Sequence, residues 1–171
     1  MAERDTLFAE YYTARAELMR STAYLLCGDW HRAEDLVQAA FTKLYLAWHR
    51  VNGHEALDGY LRQIIVRRYL DERRRGWWRR EQVADPVPDS ATPTAGLEDR
   101  LVLLDALQRL PKRQRAVVVL RYWEDMSIED TAQALDCSPG TVKSQAARGL
   151  QTLRGLLPGI VPEISSREAA R

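Results

Sequence analysis

Apolar side chains return every three or four positions along most of this chain, and no stretch alternates them with the two-residue period of a strand. Phe8, Tyr11, Tyr12, Leu18, Met19, Thr22, Leu25 and Leu26 form a first helical run, which Gly28 interrupts. Ala33, Leu36, Val37, Ala40, Phe41, Leu44, Tyr45, Trp48 and Val51 form a second and cleaner amphipathic run, closed by Asn52-Gly53-His54. A third helix is expected from near Leu57 through Leu61, Ile64, Ile65 and Tyr69 into a run of arginines.

Further on, Leu97, Leu101, Leu104, Leu107 and Leu110 make one helical stripe that Pro111 stops. Lys112 to Glu124 reads as the next helix. Ser127 opens another, to Leu135, with Asp130 three positions on as an approximate capping-box partner. Ser138-Pro139 opens the last, to about Leu157, with serine as N-cap and proline at the first helical position. The expected fold is all-α.

The strip QVADPVPDSATPTAG, residues 82–96, has three prolines and no apolar period. It reads as a flexible linker between two small helical domains, residues 1–81 and 97–157, with 158–171 as a tail.

Composition enters here. Of 171 residues, 46% are hydrophobic, which argues against global disorder. No apolar run is long enough to span a bilayer, and the start of the chain lacks a signal peptide's apolar stretch, so a cytoplasmic protein without membrane insertion is expected. Two cysteines, Cys27 and Cys137, stand apart, so neither a disulfide framework nor a metal site is expected. The formal net charge of +1 conceals a strong pattern. Residues 59–81 carry +5 and 100–171 carry +3, separated by −4 over residues 82–99, while 1–58 carry −3. Two basic regions divided by an acidic strip suggest two separate contacts with a polyanion.

Candidate chemistry follows the helix faces. The segment from Ser127 to Leu157 has helix-turn-helix form: a short helix, a tight link at Asp136-Cys137-Ser138, and a long second helix. Val142, Ala146, Gly149, Leu150 and Leu153 should dock on Ile128, Ala132 and Leu135. Thr141, Lys143, Ser144, Arg148 and Gln151 then face outward, and between Ser138 and Leu157 there are three basic residues and no acidic one. A major groove accepts such a helix, Arg and Gln pair with base edges, and Lys and Ser hold phosphates. The plainer reading is a helical hairpin with a solvated face.

On the second helix, Asp35, Gln38, Ala39, Thr42 and Leu46 lie opposite the apolar stripe. They form either a patch for a protein partner or an ordinary helix surface. On the third, Tyr60, Gln63, Arg67, Asp71 and Arg74 form a polar stripe amid Arg68, Arg73, Arg75, Arg79, Arg80 and Trp77-Trp78. Arginines neutralise phosphates and aromatics stack on unpaired bases. The alternative is a solvated helix end with tryptophan in the core. An enzyme, for instance a nuclease using Asp35, Asp71, His31, His49 and His54, is not expected. His49 and His54 share no helix face with the carboxylates, and no Walker motif, HExxH or nucleophile elbow occurs.

These residues carry a family likeness. GDWHRAEDLVQAAFTKLYLAWHRV, YLRQIIVRRYLDERRR and LQRLPKRQRAVVVLRYWEDMSIEDTAQALDCSPGTVKSQAARGLQTLR occur in that order, within a likeness that covers about residues 5–157. In this the chain resembles a bacterial RNA polymerase sigma factor of the extracytoplasmic-function group. The resemblance implies two helical domains, sigma region 2 and sigma region 4, and a promoter-specificity subunit without catalytic chemistry or cofactor. The implied partners are core RNA polymerase, through its beta-prime clamp coiled coil and beta flap, and promoter DNA, with an anti-sigma factor as an open further partner. A monomer is expected.

By the same resemblance Asp35, Gln38 and Thr42 bind polymerase. The helix bearing Tyr60, Gln63, Arg67, Asp71 and Arg74 reads and opens the −10 element. The loop from Asn52 to Asp58 lines a pocket for an extruded base. The helix bearing Thr141, Lys143, Ser144, Arg148 and Gln151 reads the −35 element, and the acidic linker threads toward the RNA exit path. Arg67 stands where many members have Asn, Tyr60 where many have Trp, and Gln145 replaces a frequent Arg, which leaves the promoter sequence open. The competing function is a stand-alone helix-turn-helix regulator that never joins polymerase, a kind that usually binds paired half-sites as a dimer.

Overall fold

The structure is a computed structural model and describes residues 2–51, 53–72 and 97–158. The linker expected over 82–96, the arginine run from Arg73 to Arg80 with Trp77 and Trp78, and all of the tail but Pro158 lie outside the described residues. All regular elements described are helical, in two compact units, residues 1–87 and 88–171.

The first unit holds α1 (Ala2–Cys27), α2 (Trp30–Ala47) and α3 (His54–Asp71). Gly28, at φ 72°, turns the chain out of α1. The next residue, Asp29, caps α2, its side chain accepting from Arg32 N at 2.8 Å. Met19, Leu26, Leu36, Leu44, Leu61 and Ile65 are almost fully buried where the three helices meet.

The second helix is shorter than its apolar period. It stops at Ala47, four residues before the last periodic position, Val51. The cause comes from α1. Arg4 Nη2 donates to Tyr45 O at 2.8 Å, so a side chain from outside serves a carbonyl near the helix end. Phe8 and Tyr11 meanwhile draw Trp48 inward, with ring centroids 5.3 and 5.6 Å apart. The third helix starts earlier than expected. Gly53, at φ 91°, makes a turn that lets Leu57 N bond to Gly53 O at 3.1 Å. Residues 54–58 are therefore helix, not the loop expected over 52–58.

The second unit holds α4 (Leu97–Gln108), α5 (Lys112–Val118), α6 (Ile128–Leu135) and α7 (Pro139–Leu156). The leucine stripe of α4 is only partly interior. Leu107 and Leu110 are buried, as is Ala106, whereas Leu101, Val102 and Leu103 are exposed. The helix expected from Lys112 to Glu124 is α-helical only to Val118. Val119–Trp123 then form a π-helical turn, with Glu124 N bonding five residues back to Val119 O at 3.1 Å. The side chain of Arg121 donates to Met126 O and ties the following loop to this turn.

Local capping sets the helix-turn-helix. Ser127 Oγ accepts from Asp130 N at 3.0 Å and opens α6. Asp136, at φ 52°, closes it, and Cys137 N returns to Ala132 O at 3.0 Å. Ser138 Oγ accepts from Thr141 N at 3.1 Å with Pro139 at the first helical position. Val142, Ala146, Gly149, Leu150 and Leu153 are buried, the docking face the sequence pattern predicts. A Cβ at position 149 would stand 2.8 Å from Val118 Cγ2, so the approach of α7 to α5 requires glycine there.

Candidate nucleic-acid and partner interfaces

The outer face of α2 carries Asp35, Gln38 and Thr42, all exposed, beside Leu46, 68% exposed. The helical repeat places 35, 38 and 42 on successive turns. Gln38 is not a loose surface amide. Its Nε2 donates to Glu34 Oε1 at 2.9 Å and to Tyr12 Oη at 3.2 Å. Glu34 in turn is held by Arg20, which donates from both Nε and Nη2. The bond from Gln38 and then those from Arg20 hold the Glu34 carboxyl below its usual range. Thr42 turns its hydroxyl back to donate to Gln38 O at 2.8 Å. Sequence reasoning singled out neither Glu34 nor its partner Arg20 on α1. Glu34 could have been found, since it lies four positions before Gln38.

The polar stripe of α3 has Tyr60 and Gln63 half-buried and Arg67 and Asp71 exposed, while Arg74 lies outside the described residues. With its amide carbonyl turned toward Arg67, Gln63 accepts from Nη2 at 2.6 Å and Nη1 at 3.1 Å, so the two side chains form one unit. The opposite face of α3 is anchored by Leu61, Ile65, Val66 and Tyr69, all nearly inaccessible. Both ends of the helix are pinned. Asp58 in its first turns accepts from Tyr11 on α1 and pairs with Arg15, and Glu72 at its end accepts from Arg32 Nη2 on α2 at 2.8 Å.

On α7, Lys143, Ser144, Arg148 and Gln151 are exposed and Thr141 is half-buried. Thr141 Oγ1 lies 2.9 Å from Ser138 Oγ, and Ser144 Oγ donates to Thr141 O at 3.1 Å. The small hydroxyls therefore serve the helix start. Lys143 and Arg148 enter no ion pair among the described residues. Their charge on a face without carboxylates favours an anionic groove. Gln145 is half-buried beside this face.

Among the described residues no three His, Cys, Asp or Glu side chains gather as a metal site, and Cys27 and Cys137 are both free thiols. No described helix is long and apolar enough to cross a membrane.

Comparison with known proteins places these surfaces in context. The family model for Sigma-70 region 2 matches residues 11–79, and that for Sigma-70, region 4 matches residues 100–153. The RNA polymerase sigma-E factor of Streptomyces avermitilis is 38% identical over 162 residues, 90% of this chain and 87% of that protein. The ECF RNA polymerase sigma factor SigM of Mycobacterium tuberculosis is 32% identical over 153 residues, 90% of this chain and 76% of that protein. Among solved structures, the sigma factor RpoE of Bartonella quintana, in complex with the anti-sigma factor NepR, superposes with a TM-score of 0.72. It is 24% identical and covers 90% of this chain and 98% of that one, a likeness of fold.

Proposed function

The chain belongs to the extracytoplasmic-function (ECF) sigma factors of the sigma-70 family, and from that membership we propose that it binds core RNA polymerase and directs promoter-specific initiation of transcription. The observation that carries this reading is the occurrence of regions 2 and 4, in that order, in one chain that shares 38% identity with a sigma factor over most of its length. The protein acts in the cytoplasm, where the chromosome is, as a binding subunit and not as an enzyme.

Each surface takes one task. Asp35, Gln38 and Thr42 engage the polymerase clamp, and Leu46 gives that patch an apolar edge suited to a protein partner. The α3 stripe of Tyr60, Gln63, Arg67 and Asp71, continued by Arg74, reads the −10 element. Arg67 is braced by Gln63, and the half-buried Tyr60 ring offers a stacking face for a base leaving the duplex. The α7 face reads the −35 element in the major groove: Arg148 and Gln151 reach base edges, and Lys143 and Ser144 hold backbone. Melting is aided because contacts to unpaired bases exist only once the strands part. An anti-sigma factor, as a partner, would silence the protein by covering these faces.

The rival reading, a regulator that binds DNA alone, is separated by one experiment. Labelled promoter is presented to the protein, to core polymerase, and to both, and run-off transcription is followed. Specific binding and run-off product are expected only with both. Tight specific binding by the protein alone, with polymerase making no difference, overturns the proposal.

A further inference from the structure

We propose that Glu34, locked by Arg20, is a positioning residue that holds the Gln38 amide with its nitrogen inward, so that the polymerase group meeting Gln38 is a hydrogen-bond donor. The inference rests on the reading of α2 as the polymerase-binding face and deepens it.

A glutamine amide has two N–H donors and a carbonyl oxygen with two acceptor sites. Both donors of Gln38 are used within the unit, one on Glu34 Oε1 at 2.9 Å and one on Tyr12 Oη at 3.2 Å. Turning the amide over would set its carbonyl oxygen against the Glu34 carboxylate and replace a charge-assisted bond by a repulsion between two acceptors. Glu34 itself has little freedom, because the Arg20 guanidinium grips both of its oxygens from α1. The carbonyl of Gln38 is therefore what an exposed surface offers. Asp35, the neighbouring exposed side chain, is a carboxylate without a donor, and Thr42 has given its hydroxyl proton to Gln38 O. Asp35, Gln38 and Thr42 thus present acceptors, and their complement is an arginine, a lysine or free backbone N–H groups.

The test is a double-mutant cycle on the full-length protein, reading its dissociation constant for purified core polymerase, with thermal unfolding as the check on folding. Gln38→Ala is expected to weaken binding about ten-fold. Glu34→Ala should weaken it by a similar factor, yet add nothing in the Gln38→Ala background. Glu34→Gln, which keeps an acceptor for the Gln38 amide, should bind like the wild type. Glu34→Gln combined with Gln38→Glu should bind at least as tightly as wild type, since a carboxylate then faces the donor. Independent, multiplying losses in the cycle overturn the positioning role. Weaker binding by the Glu34→Gln, Gln38→Glu protein than by Gln38→Ala overturns the donor assignment. If Gln38→Ala alone binds like wild type, the positioning role falls; if Asp35→Ala also binds like wild type, the reading of α2 as the polymerase face fails as well.

Discussion

Tyr11 and Asp58 stand 47 residues apart in the chain, yet the Tyr11 hydroxyl donates to Asp58 Oδ1 at 2.6 Å. Tyr11 is 5% exposed, and Arg15 Nε reaches the same carboxylate oxygen at 3.2 Å. The bond fixes the first turns of α3 against α1, and so fixes where the stripe beginning at Tyr60 is aimed.

Tyr11→Phe should therefore cost about 1 kcal/mol of unfolding free energy, read from urea midpoints by circular dichroism. The pH response has a definite sign. Burial first, then the bond and charge of Asp58, hold the Tyr11 hydroxyl above its ordinary range. The folded state thus keeps a proton that the unfolded chain releases near pH ~10. Stability is fully present below that pH and falls as pH rises beyond it, and the fall should be shallower in Tyr11→Phe.

Arg115 is 8% exposed. Its guanidinium donates to Gln108 Oε1 at 2.7 Å, Gln108 O at 2.8 Å and Leu110 O at 3.0 Å. It closes the C-terminal end of α4, where the helix dipole favours a cation. Arg115→Ala should destabilise the second unit by about 3 kcal/mol, because it strips buried carbonyls of their donor. Lysine, a point charge without the planar fork, should restore only part of that. Amide hydrogen exchange in the α4–α5 segment is the measurement.

Gly149 and Gly155 lie on one helix and should respond oppositely to alanine. A Cβ at 155 meets nothing within 4 Å, so Gly155→Ala should gain about 0.5–1 kcal/mol from helix propensity. At 149 it would meet Val118 Cγ2 at 2.8 Å and Gln114 O at 3.6 Å. The overpacking, about 1–3 kcal/mol, outweighs the same propensity gain. Adding Val118→Ala to Gly149→Ala should recover stability, which thermal melts of the single and double variants would show.

The two thiols should differ in reactivity. Cys27 is buried, donates to Asp29 O at 3.2 Å, and is pushed up to about 11 by burial, so little thiolate exists near neutrality. Cys137 is half-buried in the turn of the helix-turn-helix. Ellman's reagent should label one thiol in the native protein and the second only in urea, and Cys137→Ser should remove the native reaction.

Local chemistry was legible in the sequence; chemistry supplied by a distant helix was not. The starts of α6 and α7 follow from Ser127 and from Ser138-Pro139, whose capping partners lie three residues away. The buried face of α2 follows from its period. Its early end does not, because Arg4 and the rings of Phe8 and Tyr11 arrive from another helix. Similarly, Glu34 is within reach of sequence spacing from Gln38, but Tyr12 and Arg20 are brought to that face only by packing. In α4, apolar spacing announced a stripe and could not say that Leu101 is left exposed. The first turn of α3 was hidden by Gly53, which reads as a terminator and is used as the corner that starts a helix.

The wide turn at Val119–Trp123 has a consequence for how this chain can change in length. A π turn holds one more residue than the α turn it replaces while its flanks stay aligned. Deleting one residue there can close the turn to α without re-aiming the helix-turn-helix that follows. The same deletion within α5 or α7 would swing every later side chain by about 100° around the helix axis. Among the described helical stretches of the second unit, that turn is the one with slack for a single-residue deletion.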